Sequence, residues 1–160
     1  MLEFGFSAGT LSVAQCGLPG SPSKQVRVPL GTWQVEQFKG QGSFTDARDF
    51  VISLADCVGG SVPGNFPTAY LRLDPRNGSP VVDALRGIIG LNADSDASGV
   101  GVQVLQRDQT PIRLSEELPI VQLTDGDFDM PFSARYIQLG SRAPTAGVAN
   151  ASLSFTLTYK

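Results

Sequence analysis

Along most of this chain apolar and polar residues alternate with a period of two, the spacing that sends successive side chains to opposite faces of a strand. Val26, Val28 and Leu30 alternate with Arg27 and Pro29, and Phe50, Ile52 and Leu54 form a second set that runs on to Cys57. Tyr70 and Arg72 interleave with Leu71 and Leu73 ahead of Asp74-Pro75-Arg76-Asn77-Gly78, whose composition predicts a turn. Val100, Val102 and Val104 follow Gly99, and Met130, Phe132, Ala134 and Tyr136 make another alternating set. The longest run is Ala149, Ala151, Leu153, Phe155, Leu157 and Tyr159, with Asn, Ser and Thr between, which predicts a strand with one buried and one polar face. No window sustains a helical period. Short helical turns are expected only within 31–39 and 81–87. Short strands parted by Gly, Pro, Asn and Asp predict one all-β domain, an antiparallel sandwich or barrel, with no repeat of fixed period.

Composition narrows the function more than the fold. The 160 residues include 18 Gly and 11 Pro, which helix interiors tolerate poorly, while 41% hydrophobic content suffices for a core. A net charge of −3 offers no electrostatic footprint for nucleic acid, and no nucleic-acid partner is expected. Histidine is absent, which removes the commonest general base and metal ligand together with Ser-His-Asp and Cys-His machinery. No catalytic residue, metal or cofactor is expected, and the chain is not expected to be an enzyme. Asp94, Asp96, Ser98 and Gly99 imitate the start of a calcium loop, but Leu105 stands where a bidentate Glu is needed. Asp125, Asp127 and Asp129 around Gly126 read as a polar hairpin tip. Trp33 beside Phe38 reads as core or sheet edge in preference to a sugar platform. Asn77-Gly78-Ser79 and Asn150-Ala151-Ser152 are formal glycosylation sequons of little weight. Cys16 and Cys57 lack the spacing of a redox or zinc pair; buried thiols in a reducing compartment and a disulfide in an exported protein both fit them. No stretch approaches the ~20 apolar residues of a membrane helix, and the first residues lack the basic and apolar regions of a signal peptide.

Several of these segments occur in an order that resembles the pilin domains of chaperone–usher fimbriae of Gram-negative bacteria, of the type 1 kind. Gly9-Thr10-Leu11 ahead of Cys16 is similar to the family's Gly-x-Val element before its first cysteine, and Val26 to Gly31 to its Val-x-Leu-Gly strand. Phe50-Val51-Ile52-Ser53-Leu54-Ala55-Asp56-Cys57 resembles the strand that carries the second cysteine. Gly99-Val100-Gly101-Val102-Gln103-Val104-Leu105 resembles the family's Gly-Val-Gly-Ile-Gln-Leu-Leu. Phe132-Ser133-Ala134-Arg135-Tyr136, Ala146-Gly147-Val148-Ala149-Asn150-Ala151 and a closing Phe155-Thr156-Leu157-Thr158-Tyr159 complete the pattern.

The resemblance implies an incomplete immunoglobulin-like β-sandwich that lacks its final strand and is completed by a donor strand from another chain. It implies a Cys16–Cys57 disulfide, an N-terminal extension over 1–14 and a pilin domain over 15–160. Leu2, Phe4, Phe6, Gly9 and Leu11 become the candidate donor strand; Ala151, Leu153, Phe155, Leu157 and Tyr159 become the groove that a chaperone or donor strand would fill. The implied function is that of a structural subunit polymerising by donor-strand exchange. The alternative is the pilin domain of a two-domain tip adhesin that anchors a receptor-binding domain. The implied partners are neighbouring pilin subunits, a periplasmic chaperone and an outer-membrane usher, and a host glycan or receptor would be met only through an associated adhesin. The implied location is the fimbrium at the cell surface, reached through the periplasm. One feature departs from the family: its donor residues alternate in phase with the glycine, whereas Leu2, Phe4 and Phe6 occupy even positions and Gly9 an odd one. A bulge between Phe6 and Gly9 would correct the phase; without one, the segment is no conventional donor strand.

Overall fold

The computed structural model describes residues 2–11, 16, 25–57 and 67–160. Among the described residues, ten strands form two five-stranded sheets. The first sheet has the order β2 (Gln25–Gly31), β1 (Leu2–Leu11), β10 (Ala149–Tyr159), β4 (Thr68–Arg76), β8 (Leu118–Gln122). The second has the order β3 (Arg48–Cys57), β9 (Gly126–Gln138), β7 (Val100–Gln106), β6 (Ile88–Ile89), β5 (Val81–Asp83). This is an open sandwich, one of the two architectures that the alternating pattern allows and the one that the resemblance implies. The core between the layers takes Val28 and Leu30 from β2, Ala69, Leu71 and Leu73 from β4, and the odd-numbered residues of β10. Ile52 and Leu54, Val102 and Val104, and Met130 to Tyr136 at even positions close it from the other sheet.

The 3-10 turn Val35–Gln37 fulfils the helical expectation for 31–39. The one for 81–87 is wrong: Val81–Asp83 is an edge strand followed by a turn, because two adjacent β-branched residues beside Ile89 pair more readily than they coil. The expected turn over 74–78 shrinks to Asn77-Gly78, both in left-handed backbone (φ 54° and 79°), while Asp74, Pro75 and Arg76 continue β4. Pro75 is tolerated there because β8 accompanies β4 only as far as Leu71 and the last backbone bond on that side goes to the Leu73 carbonyl, so no ladder partner stands beside Pro75. The acidic hairpin tip is also corrected. Asp127 and Asp129 lie on β9, where the Asp127 carboxylate accepts from the Asp56 amide (2.9 Å) and Asp129 from the Ser53 hydroxyl (2.7 Å).

Gly101 shows why that motif needs a glycine. A Cβ there would stand 2.5 Å from the Ile89 carbonyl oxygen, a backbone atom with nowhere to go. Gly99 is left-handed (φ 82°) and close to Pro144.

Candidate strand-acceptor site

The first sheet contains a slot between β2 and β10. Those two strands run in opposite directions, and β1 lies between them, antiparallel to β2 and parallel to β10. Facing the core along the slot are Val28 and Leu30 on one side and Ala149, Ala151, Leu153, Phe155, Leu157 and Tyr159 on the other, none more than 7% exposed. The structure therefore brings all five sequence-predicted groove residues onto one buried face. Ala149, the sixth, was absent from the expected set although it shares the same alternation.

Leu2, Phe4 and Phe6 stand opposite Ala149, Ala151 and Leu153, and Ala8 stands opposite Phe155. The register then shifts, and Leu11 stands opposite Leu157. The shift falls between Ala8 and Leu11, an interval that overlaps the Phe6–Gly9 stretch where a bulge would correct the phase. Even-numbered residues precede it and odd-numbered Leu11 follows it, all opposite the buried face of β10. Gly9 falls within this irregular step, where a glycine costs least. The expected boundary between extension and domain at 14/15 lies outside the described residues.

The far end of the slot is fastened to the other elements. Tyr136 crosses the sandwich and donates its hydroxyl to the Ala149 carbonyl (3.1 Å), while its amide donates to Thr45 Oγ1 (3.1 Å). At the near end the Thr68 amide donates to the Lys160 carbonyl (2.6 Å), and Lys160 Nζ pairs with Glu117 (2.6 Å). Cys16 and Cys57 are joined by a disulfide with Cα atoms 4.0 Å apart, and both cysteines are buried.

The polar face of β10 is covered as well. Ser152 Oγ accepts from the side-chain amides of Asn77 (3.2 Å) and Asn92 (3.0 Å), and Ser154 Oγ accepts from Arg76 (3.1 Å). The strand is thus packed on both faces, with β4 along one edge and β1 along the other.

Tyr159 ends the buried row, and its hydroxyl has no hydrogen-bond partner among the described residues. Burial pushes its pKa above the ordinary value. An acid whose folded-state pKa is raised supports the fold while it stays protonated. That support is full below the unfolded value near pH ~10 and is lost as the pH rises through the higher folded value. Tyr159→Phe should therefore flatten the alkaline fall in denaturation midpoint at no cost near neutral pH. A mutant curve parallel to the parent's above pH ~10 would refute it.

The remaining candidates form no second site. Trp33 Nε1 donates to the Leu30 carbonyl (2.6 Å), and Arg48 stacks 5.5 Å from its ring, so its polar edge is spent inside the protein. With Phe38, Val100 and Pro144 it lines an open cleft of about 230 Å³. Ser98 bonds to Thr145 (2.6 Å) and the Asp96 amide to Val148, in a loop. Among the described residues no three His, Cys, Asp or Glu side chains are grouped to hold a metal ion.

A family model described as "Fimbrial protein" matches residues 7–160. A type-1 fimbrial protein subunit of Serratia marcescens is 29% identical over 149 residues, 88% of this chain and 77% of that protein. The crystal structure of an antigen and type I fimbria protein of Burkholderia pseudomallei aligns with a TM-score of 0.63 at 27% identity, over 98% of this chain and 97% of that one. The crystal structure of the P pilus rod subunit PapA aligns with a TM-score of 0.72 over 92% of this chain and 100% of that one. At 19% identity it speaks for the fold alone.

Proposed function

This chain belongs to the fimbrial protein family and is a structural subunit of a surface pilus, and we propose that it joins its neighbours by strand addition. In this reading the extension 1–14 is the donor and the domain 15–160 is the acceptor. Leu2, Phe4, Phe6, Gly9 and Leu11 enter the slot bordered by Ala151, Leu153, Phe155, Leu157 and Tyr159. The observation that carries the proposal is the register of β1. This segment completes a sheet between two strands whose edges would otherwise be unpaired, opposite a continuous buried row. A segment that fills its own slot can fill an identical slot on a second copy, and repetition makes a head-to-tail polymer without covalent chemistry.

A periplasmic chaperone and an outer-membrane usher fit the same reading, since an unfilled apolar slot needs a cover during export. The name of the Serratia relative favours a subunit over the pilin domain of a tip adhesin, as does the match to 97% of the Burkholderia chain. The test is a denaturant-free gel ladder. The concentrated parent chain should form oligomers, and Phe4→Asp with Phe6→Asp should abolish them while the chain can still accept a peptide of residues 2–11. An undiminished ladder from the double variant would overturn the donor assignment.

A further inference from the structure

Because β2 and β10 run in opposite directions, any strand in the slot must be parallel to one of them and antiparallel to the other. The chain's own segment takes the orientation parallel to β10, the longer strand, although parallel pairing is slightly the weaker kind. We infer that the Cys16–Cys57 disulfide acts as a tether that limits self-filling to this one direction and leaves the reverse direction to a strand from a second copy.

The argument is one of reach. Cys57 stands opposite Gly126 at the start of β9. That end of the sandwich also holds Lys160, because the Leu123 amide bonds to Pro67 and the Thr68 amide to Lys160. Ala149 is at the opposite end, bonded to Tyr136, which lies about 33 Å along β9 from Gly126 at ~3.3 Å per residue. Only residues 12–15 separate Leu11 from Cys16, and they span roughly 18 Å when fully extended. In the observed direction Leu11 lies opposite Leu157, near the bridge. Reversed, it would have to lie near Ala149, beyond the tether's length. Without the bridge the limit would be residues 12–24, which reach roughly 48 Å and would allow either direction. A strand from a second copy carries its own disulfide and is bound by neither limit.

The inference deepens the strand-addition reading, but its test reads the isolated monomer. Glu3 lies opposite Asn150, about 33 Å along β10 from Lys160, whereas reversal of the segment would bring it to the Lys160 end. Glu3→Lys therefore places an amine that reports the direction. A short-span amine cross-linker followed by peptide mass analysis should find no intramolecular link between position 3 and Lys160 in the oxidised monomer of this variant. Inserting ten Gly/Ser residues between Leu11 and Cys16, with the disulfide kept, should make that product appear. A link in the unextended oxidised monomer would overturn the inference, and so would its absence from the extended one. A chain that fails to polymerise would overturn strand addition and leave this result standing.

Discussion

Phe155→Asp should abolish the folded monomer. Phe155 is 1% exposed, stands between Leu73 of β4 and Ala8 of β1, and belongs to the main core cluster. Removing a buried phenylalanine costs about 3–5 kcal/mol, and an unpaired carboxylate in the same place adds several more. A domain of this size holds about 5–15 kcal/mol in total. Val51→Lys is the matched control: Val51 is 46% exposed on the outer face of β3, and the change should stay within about 0.5 kcal/mol. Urea denaturation of both variants decides the matter. A Phe155→Asp midpoint close to that of Val51→Lys would show that the β10 face is not the core.

Reducing the disulfide should cost about 4 kcal/mol, the loop-closure entropy for a sequence separation of 41. The effect is large because the bridge ties Cys16, beyond β1, to the end of the second sheet, so that the unfolded chain regains one long loop. Both cysteines are 4% exposed or less, so reductant should act only as the chain opens. Denaturation midpoints measured with and without thiol, after alkylation confirms reduction, should differ by that amount. Equal midpoints would remove the disulfide from the stability of the fold.

Long strands with a sustained apolar alternation were legible in the sequence. Those of β3, β4, β9 and β10 showed their period because their core-facing apolar residues recur at every second position. Strands β5, β6 and β8 were missed, being too short to display a period, and β8 is further interrupted by Pro119. In β7 the even-numbered valines gave the strand away but its other face did not look buried. Gln103 and Leu105 are covered there by Arg135 and by Pro111, contacts made by distant segments that no local pattern encodes.

The buried face of β10 was legible from its own alternation, while its reading as a groove and the cysteine pairing came through the resemblance. The phase of the N-terminal segment was not. An alternation that breaks at Gly9-Thr10 fits a bulge and a loop equally well until a partner strand fixes the register. Asp127 was misread because its carboxylate serves the irregular backbone at Asp56 (φ 52°), a role visible only across the β3–β9 ladder.

The central claim is that residues 2–11 are the piece one copy supplies to another. A chain lacking residues 1–11 keeps the acceptor slot and loses the donor. Mixed in excess with a tagged full-length chain, it should enter oligomers at one end only, so that the gel ladder collapses toward dimers of one tagged and one truncated chain. If the truncated chain stays out of the oligomers, or the ladder of the full-length chain keeps its length distribution whatever the excess, the slot between β2 and β10 is not where subunits join.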